Sequence, residues 1–489
     1  MDKKFSHNFI FAVICVLVFC FALSPEAYAR ARYTLSVNNS KIRAESDELY
    51  ALSDQGSSTF DPEQAYLLTA DGLVALEDAV FDYAGKSEEG VGGGGLRYDN
   101  GEILVPYHKV LVGLNYYYSE QRDSSLSSAN LENEIGEGFE FGYYDEEREF
   151  HALDETGKSR ITMRAEYGTG ICVYETGTER LLYEQEDTDR NNMLAIRPIS
   201  NKEAVTWFKG NQYYGDFLYA VADNGNLNVI NAVNVERYVM GVCASEMSEE
   251  WPSEALKAQA VAARTYAARR MANSGYFSSS GFDLTADTYS QAYAGCAAVG
   301  RRIQRAVRAT ENEYLTYNDE LCDAQYFSSD GGATENNRNV NGNDYHPYLS
   351  GVVDPYEADT DDINFYSSWT YTMSPETLGA KVGLRNVKEV RVSTSAMGNV
   401  IGLELVASNG KTVTLANSYC RTTLGLPSIR YEVHENSHGQ FVFTGSGWGH
   451  NLGMSQYGAY AMAEYYDKTY KDILGFYYTG VGLSYGVNE

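Results

Sequence analysis

Apolar and polar positions divide this chain into stretches of two different periods. From Ile103 to about Val233, apolar residues recur in short alternating runs broken by Gly, Asn, Asp and Ser, the two-residue period of half-buried strands. ILVPYHKVLVGLNYYY opens that region, GFEFGYYDEEREFHAL and SRITMRAEYGTGICVYETGTERLLYEQ read as hairpins, and TWFKGNQYYGDFLYAV and NLNVINAVNV continue it. The period then lengthens. Pro252 suits a first helical position because its missing N–H is not needed there, and residues 253–272 are rich in Ala, Leu, Lys, Gln and Arg. At 100° per residue Leu256, Ala260, Ala263 and Ala267 make one narrow small-residue stripe, with Glu254, Lys257 and Arg264 on an adjacent charged one. Further helices are predicted around 300–308 and 455–466, with a short one at Tyr470–Tyr478, and 386–416 returns to strands. Near the start, strands at Tyr33–Val37 and Ala65–Leu68 and a helix over Asp71–Tyr83 predict a small α+β unit, followed by the glycine run Gly90–Gly95. The fold class is α+β: a helical centre set in mostly antiparallel β structure, with one or more small N-terminal α+β modules.

The first residues change the picture of where the chain works. Lys3 and Lys4 precede the apolar run Phe9–Leu23, and Ala27-Tyr28-Ala29 follows, the layout of a secretory signal cleaved after Ala29. The run is shorter than the roughly 20 residues of a spanning helix. Left uncleaved, it would be the chain's membrane attachment. The expectation is a secreted or cell-surface protein. Five cysteines follow that cut: Cys172, Cys243, Cys296, Cys322 and Cys420. So sparse and odd a set is no disulfide framework, although Cys296 and Cys322 are one candidate pair.

Charge narrows the partners. The formal net charge is −29, which repels nucleic acid, whose binding depends on phosphate neutralisation. Arg264, Arg269, Arg270, Arg301, Arg302, Arg305 and Arg308 form the most basic stretch, either offsetting that field locally or solvating two helices. The 41 tyrosines suit stacking on sugar rings, and equally suit strands and interfaces.

Two segments carry the candidate chemistry. SEMSEEWPSEALKAQAVAARTYAARR places Glu246 in a short polar segment ahead of a helix whose charged stripe holds two fixed cations. Read as spacing alone, that stripe is a solvated face with weak ion pairs. GSGWGHNLGMSQYGAYAMA surrounds Trp448 and His450 with glycines and leads into Ser455-Gln456. It lacks the GK[ST] ending of a phosphate-cradling loop, so a nucleotide site is not expected. Cys243 stands three residues before Glu246; its apolar VCAS context fits a small buried residue better than a nucleophile.

Taken together, VNVERYVMGVCASEM, WPSEALKAQAVAARTYA, DTYSQAYAG, AQYFSSDGGATE, DYHPYLSGV and GWGHNLGMSQYGAYAMA, in that order from about Asn228 to the C-terminus, resemble the family of stage II sporulation protein D and the amidase enhancers. The resemblance implies a lytic transglycosylase that cleaves peptidoglycan glycan strands, preferring peptide-stripped ones, with Glu246 as the catalytic acid. By matched motif it implies that Glu254, Lys257 and Arg264 shape or line the cleft, and it makes Gln291, Tyr293, Ser329, Gly331, Gly332, His450, Ser455 and Gln456 further substrate-site candidates. Some relatives carry a Cys/His zinc site; here Cys322 and His346 flank the SSDGG block without the paired ligands such a site needs, so neither metal nor cofactor is expected. Asn451 stands where relatives more often have glycine, and asparagine tolerates the left-handed conformation.

The chemistry suits one carboxylate. Hydrolytic glycosidases need two, whereas a lytic transglycosylase lets the sugar's own 6-hydroxyl attack the anomeric carbon. Glu246 must then be protonated at its working pH, which burial beside Met247 or Trp251 favours and a close Lys257 or Arg264 opposes. Four segments are expected: 1–29 a signal peptide; 30–90 a small module with a wall-binding or docking role; 91–200 a β-rich region; 201–489 the catalytic region. The competing reading is a non-catalytic amidase enhancer that binds wall and stimulates a peptidoglycan amidase. Sporulation and vegetative wall remodelling both remain open as the setting.

Overall fold

The computed structural model describes residues 102–488 except 106, 135, 167–169, 201–203, 273–279 and 343–344, and five short strands of backbone between 32 and 84. The signal segment, the glycine run and most of the 30–90 module lie outside the described residues. Within that module Arg32–Val37 pairs antiparallel with both Ser40–Ala44 and Val80–Ala84, and Tyr66–Thr69 pairs with Gly72–Ala75. The helix expected over Asp71–Tyr83 is therefore replaced by strands. Leu73, Val74, Val80, Phe81 and Tyr83 are strand formers, and that preference outweighs the helical spacing.

Two antiparallel layers form the β-rich part. A six-stranded sheet runs in the order Leu181–Gln185, Gly170–Glu175, Arg160–Glu166, Ser128–Asn133, Thr206–Phe208 and Asn211–Tyr213. A seven-stranded sheet runs Phe150–Thr156, Phe139–Tyr144, Leu194–Pro198, Asp216–Val221, Leu227–Asn234, Lys109–Asn115 and Leu284–Thr285, the last pair parallel. Ile161, Met163, Ile171 and Val173 of the first and Phe141, Ile196, Phe217 and Tyr219 of the second are fully buried in one core. The boundary expected near residue 200 runs through this second sheet, because Leu194–Pro198 pairs with Asp216–Val221 across it.

Among the described residues, five helices have eight residues or more: α1 (Val235–Glu246), α2 (Ser253–Ala272), α3 (Arg301–Ala309), α4 (Gln456–Tyr465) and α5 (Tyr470–Tyr477). The centre of the chain is helical, as expected, and the fold is α+β. Helix α2 departs from the narrow-stripe reading: Ala255, Leu256, Ala258, Val261, Ala262, Ala263, Ala267 and Ala268 are all buried, so it is enclosed around its circumference. Alanines on every side let α1, α3, α4 and α5 approach its axis closely. None of the described helices is long and apolar enough to cross a membrane.

A second core lies between the SSDGG block and the GWGH block. There Val387–Thr394, Val400–Ala407 and Thr412–Ala416 form one three-stranded sheet, and Trp369–Met373, Phe441–Gly445 and Tyr431–Glu435 form another. Leu378, Val387, Leu403, Leu405 and Phe443 fill it. The excursion returns to the first core through a two-residue parallel pairing, Tyr326 with Met454 and Phe327 with Ser455. No disulfide joins the five described cysteines, so the Cys296–Cys322 pairing does not occur.

Candidate active site

Glu246 is the last residue of α1, a helix where the sequence reading had only a short polar segment. Asn234 caps the start of α1 by accepting from the N–H groups of Glu236 and Arg237, and Met247 ends it in extended conformation. The carbonyl end of a helix disfavours a negative charge, and no basic residue occupies the last turn of α1 to offset it. Three donors nevertheless reach the carboxyl. The Ala292 N–H donates to Oε1 at 2.9 Å, the Gln456 amide donates to Oε2 at 3.3 Å, and the Tyr326 hydroxyl is the third. Burial outweighs them and holds the Glu246 carboxyl above the usual carboxylate range. That is the direction of shift a general acid requires.

The donors are themselves held. Tyr238 donates to Gln291 Oε1 at 3.0 Å, and Gln291 Nε2 donates to the Tyr326 hydroxyl at 3.0 Å, leaving the Tyr326 proton free for Glu246. The Ala294 N–H donates to Ser245 Oγ at 3.1 Å, so the segment 291–295 is pinned to the last turn of α1 twice. The approach demands a glycine at 241, where a Cβ would come within 2.5 Å of the Tyr293 ring and 2.6 Å of the Gly295 carbonyl. Tyr293 itself points inward and donates to Asn231 Oδ1 at 2.9 Å. It supports the segment from behind.

The sequence neighbours of this site fit it against known proteins. A family model described as stage II sporulation protein matches residues 223–317, which span Glu246 and Gln291. Stage II sporulation protein D of Bacillus subtilis is 33% identical over 273 residues, covering 52% of this chain and 76% of the relative. An uncharacterized protein of Brachyspira hyodysenteriae is 35% identical over 286 residues, covering 56% of this chain and 73% of its own length. The chain belongs to the stage II sporulation protein D family. An amidase enhancer of Bacillus subtilis is also similar, at 30% identity over 292 residues, 50% of this chain and 40% of the relative.

The family motifs divide into two groups in space. Gln291 and Gln456 converge on Glu246 as described. Ser329, Gly331 and Ser455 converge instead on Glu357, which sequence reasoning overlooked. The Ser329 hydroxyl donates to Glu357 Oε1 at 2.6 Å, the Gly331 N–H to the same oxygen at 2.9 Å, and the Asp330 N–H to Oε2 at 2.8 Å. The Ser455 hydroxyl also donates to Oε2. Since Ser455 caps α4 and Gln456 is its first residue, Glu357 sets the position of the Gln456 amide. Gly331 and Gly332 both have positive φ, +67° and +117°, which this tight turn requires.

Beside Glu357 lie Asp330 and Asp354, all three fully buried. Their ligand-capable oxygens lie within 4.8 Å of one another, spacing that would suit a cation. The donor set argues otherwise. Besides the four donors on Glu357, Asp354 accepts from the Tyr356 and Glu357 N–H groups and from the Tyr477 hydroxyl, and Asp330 Oδ1 accepts from the Gly332 N–H. Only Asp330 Oδ2 lacks a donor. Burial and the charges of Glu357 and Asp354 push the Asp330 carboxyl well up, and a protonated Asp330 donates to Asp354. The cluster is thus a hydrogen-bonded lock under the SSDGG turn.

The charged stripe of α2 does not face Glu246. Lys257 donates to Glu254 at 2.6 Å, and Glu254 accepts the Tyr470 N–H at 2.9 Å, tying α2 to the start of α5. Arg264 is fully buried and holds Glu236 with two bonds of 2.7 Å, while also donating to the carbonyls of Val307 and Glu313. Of the two roles the resemblance allows, shaping the cleft or lining it, these bonds fit shaping: they tie helices together. In the basic stretch Arg269 donates to the Leu321 carbonyl and Arg302 to that of Trp251, whereas Arg301, Arg305 and Arg308 are exposed on α3. His450 is neutral, its pKa pushed down to about 4 by burial and by Arg421; its Nδ1 accepts from the Leu452 N–H, so Nε2 carries the proton toward the Tyr326 backbone. Asn451 takes the left-handed conformation at φ 63° in place of glycine. The Cys243 thiol is buried inside α1 and pushed up to about 12, which leaves no thiolate for nucleophilic attack.

Proposed function

We propose that this chain is a lytic transglycosylase of peptidoglycan glycan strands, acting outside the cytoplasmic membrane after export by its N-terminal signal, with Glu246 as acid and base. The observation that carries the reading is a single half-buried carboxyl whose pKa is raised by burial while three neutral donors aim at it. No charged side chain contributes to its shift among the described residues. In the reaction the Glu246 proton passes to the glycosidic oxygen as the C1–O bond breaks. The 6-hydroxyl of the same muramic acid residue then bonds to C1, and its proton returns to Glu246. A 1,6-anhydro end results, and no water is consumed. The Ala292 N–H, Gln456 amide and Tyr326 hydroxyl stabilise the carboxylate between the two steps.

The test is mass spectrometry of peptide-stripped strands incubated with the purified protein beside its Glu246→Gln variant. Fragments ending in 1,6-anhydro-muramic acid, absent with the variant, support the proposal. Intact strands with a folded protein that binds wall count against it. That outcome favours a second reading, to which the amidase-enhancer relative lends weight: wall binding coupled to stimulation of a peptidoglycan amidase.

A further inference from the structure

The outer face of the six-stranded sheet carries a groove of about 470 Å³ with Trp207 in its wall. Strand alternation explains why the indole is there. Thr206 and Phe208 are buried in the core, and Trp207 between them turns outward and is 38% exposed. Register then lines up its neighbours: Glu132 lies opposite Trp207 on one side and opposite Arg160 on the other. Arg160 donates to Glu132 at 2.8 Å. Further along the same face, Thr162 donates to Asn130 at 2.8 Å and meets Thr176 at 3.0 Å. An apolar ring plane is thereby bordered by amide, hydroxyl and carboxylate groups whose hydrogen-bonding capacity is only partly used.

Lys209 closes the groove, and its backbone is unusual. The hairpin between Thr206–Phe208 and Asn211–Tyr213 turns on Lys209 and Gly210, with φ of +48° and +83°. Both central residues of such a turn need positive φ, which glycine and asparagine supply readily and a long side chain resists. A lysine held there at a conformational cost points to a use for its ammonium group. Among the described residues it has no carboxylate partner. With Arg160 against Glu132, the groove has an excess of positive charge on a chain whose net charge is −29.

From these features we infer that the groove is a second glycan-binding site, separate from Glu246, which takes a sugar chain bearing carboxylate groups. The apolar face of one sugar ring stacks on the Trp207 indole. Ring hydroxyl and acetamido groups bond to Asn130, Thr176 and Glu132, and a sugar carboxylate pairs with Lys209. The site lies outside residues 223–317, the part that matches the family model. It would hold a strand to the protein whether or not Glu246 cleaves it, so its success or failure is independent of the transglycosylase reading.

The experiment is calorimetric titration of the full exported chain carrying Glu246→Gln, which leaves the strand uncut. The probes are peptide-stripped peptidoglycan strands and neutral chitin oligomers of matched length. The expected result is two classes of site for the carboxylate-bearing strands. Trp207→Ala removes one class or weakens it about ten-fold, the effect of losing one central aromatic anchor. Lys209→Glu weakens that same class for peptidoglycan strands and leaves chitin binding unchanged. Thermal melting checks that each variant keeps its fold, and Trp207→Phe should restore part of the binding. A single class of site that neither Trp207→Ala nor Lys209→Glu alters would overturn the inference. Equal loss of chitin and peptidoglycan binding in Lys209→Glu would overturn the assignment of the carboxylate.

Discussion

Gln456 presents its side-chain amide to Glu246 Oε2 at 3.3 Å, joining the first residue of α4 to the last residue of α1 across 210 positions of sequence. The helix that ends at the acid supplies an unfavourable field for its charge, and the helix that begins at the glutamine supplies a neutral donor. Neither element makes the site alone. What fixes their separation is Ser455, whose hydroxyl is committed both to capping α4 and to Glu357.

The donors on Glu246 should tune its pH range. The Tyr326 hydroxyl and the Gln456 amide both stabilise the ionised carboxyl, so removing either raises its pKa further. Tyr326→Phe and Gln456→Leu are therefore expected to shift the alkaline limb of the pH–rate profile to higher pH. Both should also lower the maximal rate, because the carboxylate formed in mid-reaction loses a donor. A pH profile on soluble denuded strands reads both effects. A limb that moves to lower pH, or does not move, would contradict this account of the acid.

Glu246→Gln should lower glycan cleavage by about 10²–10⁴-fold, the usual range for loss of a general acid. The amide keeps the shape and still accepts from the Ala292 N–H, so the melting temperature should change little. Cleavage at the parental rate by a folded variant would remove Glu246 from the mechanism.

Arg264 separates a framework role from a cleft role. Truncating it leaves the Glu236 carboxylate in an interior position without its partner, a change that typically costs about 3–5 kcal/mol. Arg264→Ala is expected to lower the urea midpoint by that free energy divided by the m-value, with activity falling only as the folded fraction falls. Lys257→Ala, on the half-exposed pair with Glu254, should cost less than about 1 kcal/mol. An Arg264→Ala protein of parental stability that has lost cleavage would return Arg264 to the cleft.

How far the sequence discloses the site depends on the range of the interaction. Helix α2, the hairpins and α4 were legible because their periods are local. Helix α1 was not: Val229, Ile230, Val233, Val235, Val239 and Val242 carry a β-branched run across the strand–helix junction, and only Asn234 marks the change as a cap. Tyr326 lay in plain view inside AQYFSSDGGATE, yet nothing local says that its hydroxyl reaches Glu246. Glu357 sits in DPYEADTDD, which reads as a solvated acidic loop, and only tertiary burial turns it into an anchor. The charged stripe of α2 was visible, but the partner of Arg264 lies on another helix, 28 residues earlier.

The buried carboxylates predict an inverted pH dependence of stability. The Asp330 pKa is raised well above that of an unfolded aspartate, mainly by burial and then by Glu357 and Asp354. A folded state that binds the proton more tightly is most favoured below the unfolded pKa of about 4 and loses that advantage as pH rises toward the folded value. The Asp330 contribution should therefore make the chain more stable in mild acid than at neutral pH. Asparagine imitates the protonated aspartate: its amide oxygen can accept the Gly332 N–H, and its amide nitrogen can donate to Asp354. Asp330→Asn is expected to melt close to the parent in mild acid and above it at pH 8, with a flatter profile between. The remaining slope belongs to Asp354 and Glu357, whose carboxyls are also raised. If the variant melts below the parent at pH 8 and keeps the parental slope, Asp330 is ionised in the fold, and a cation rather than a proton must balance the three carboxylates.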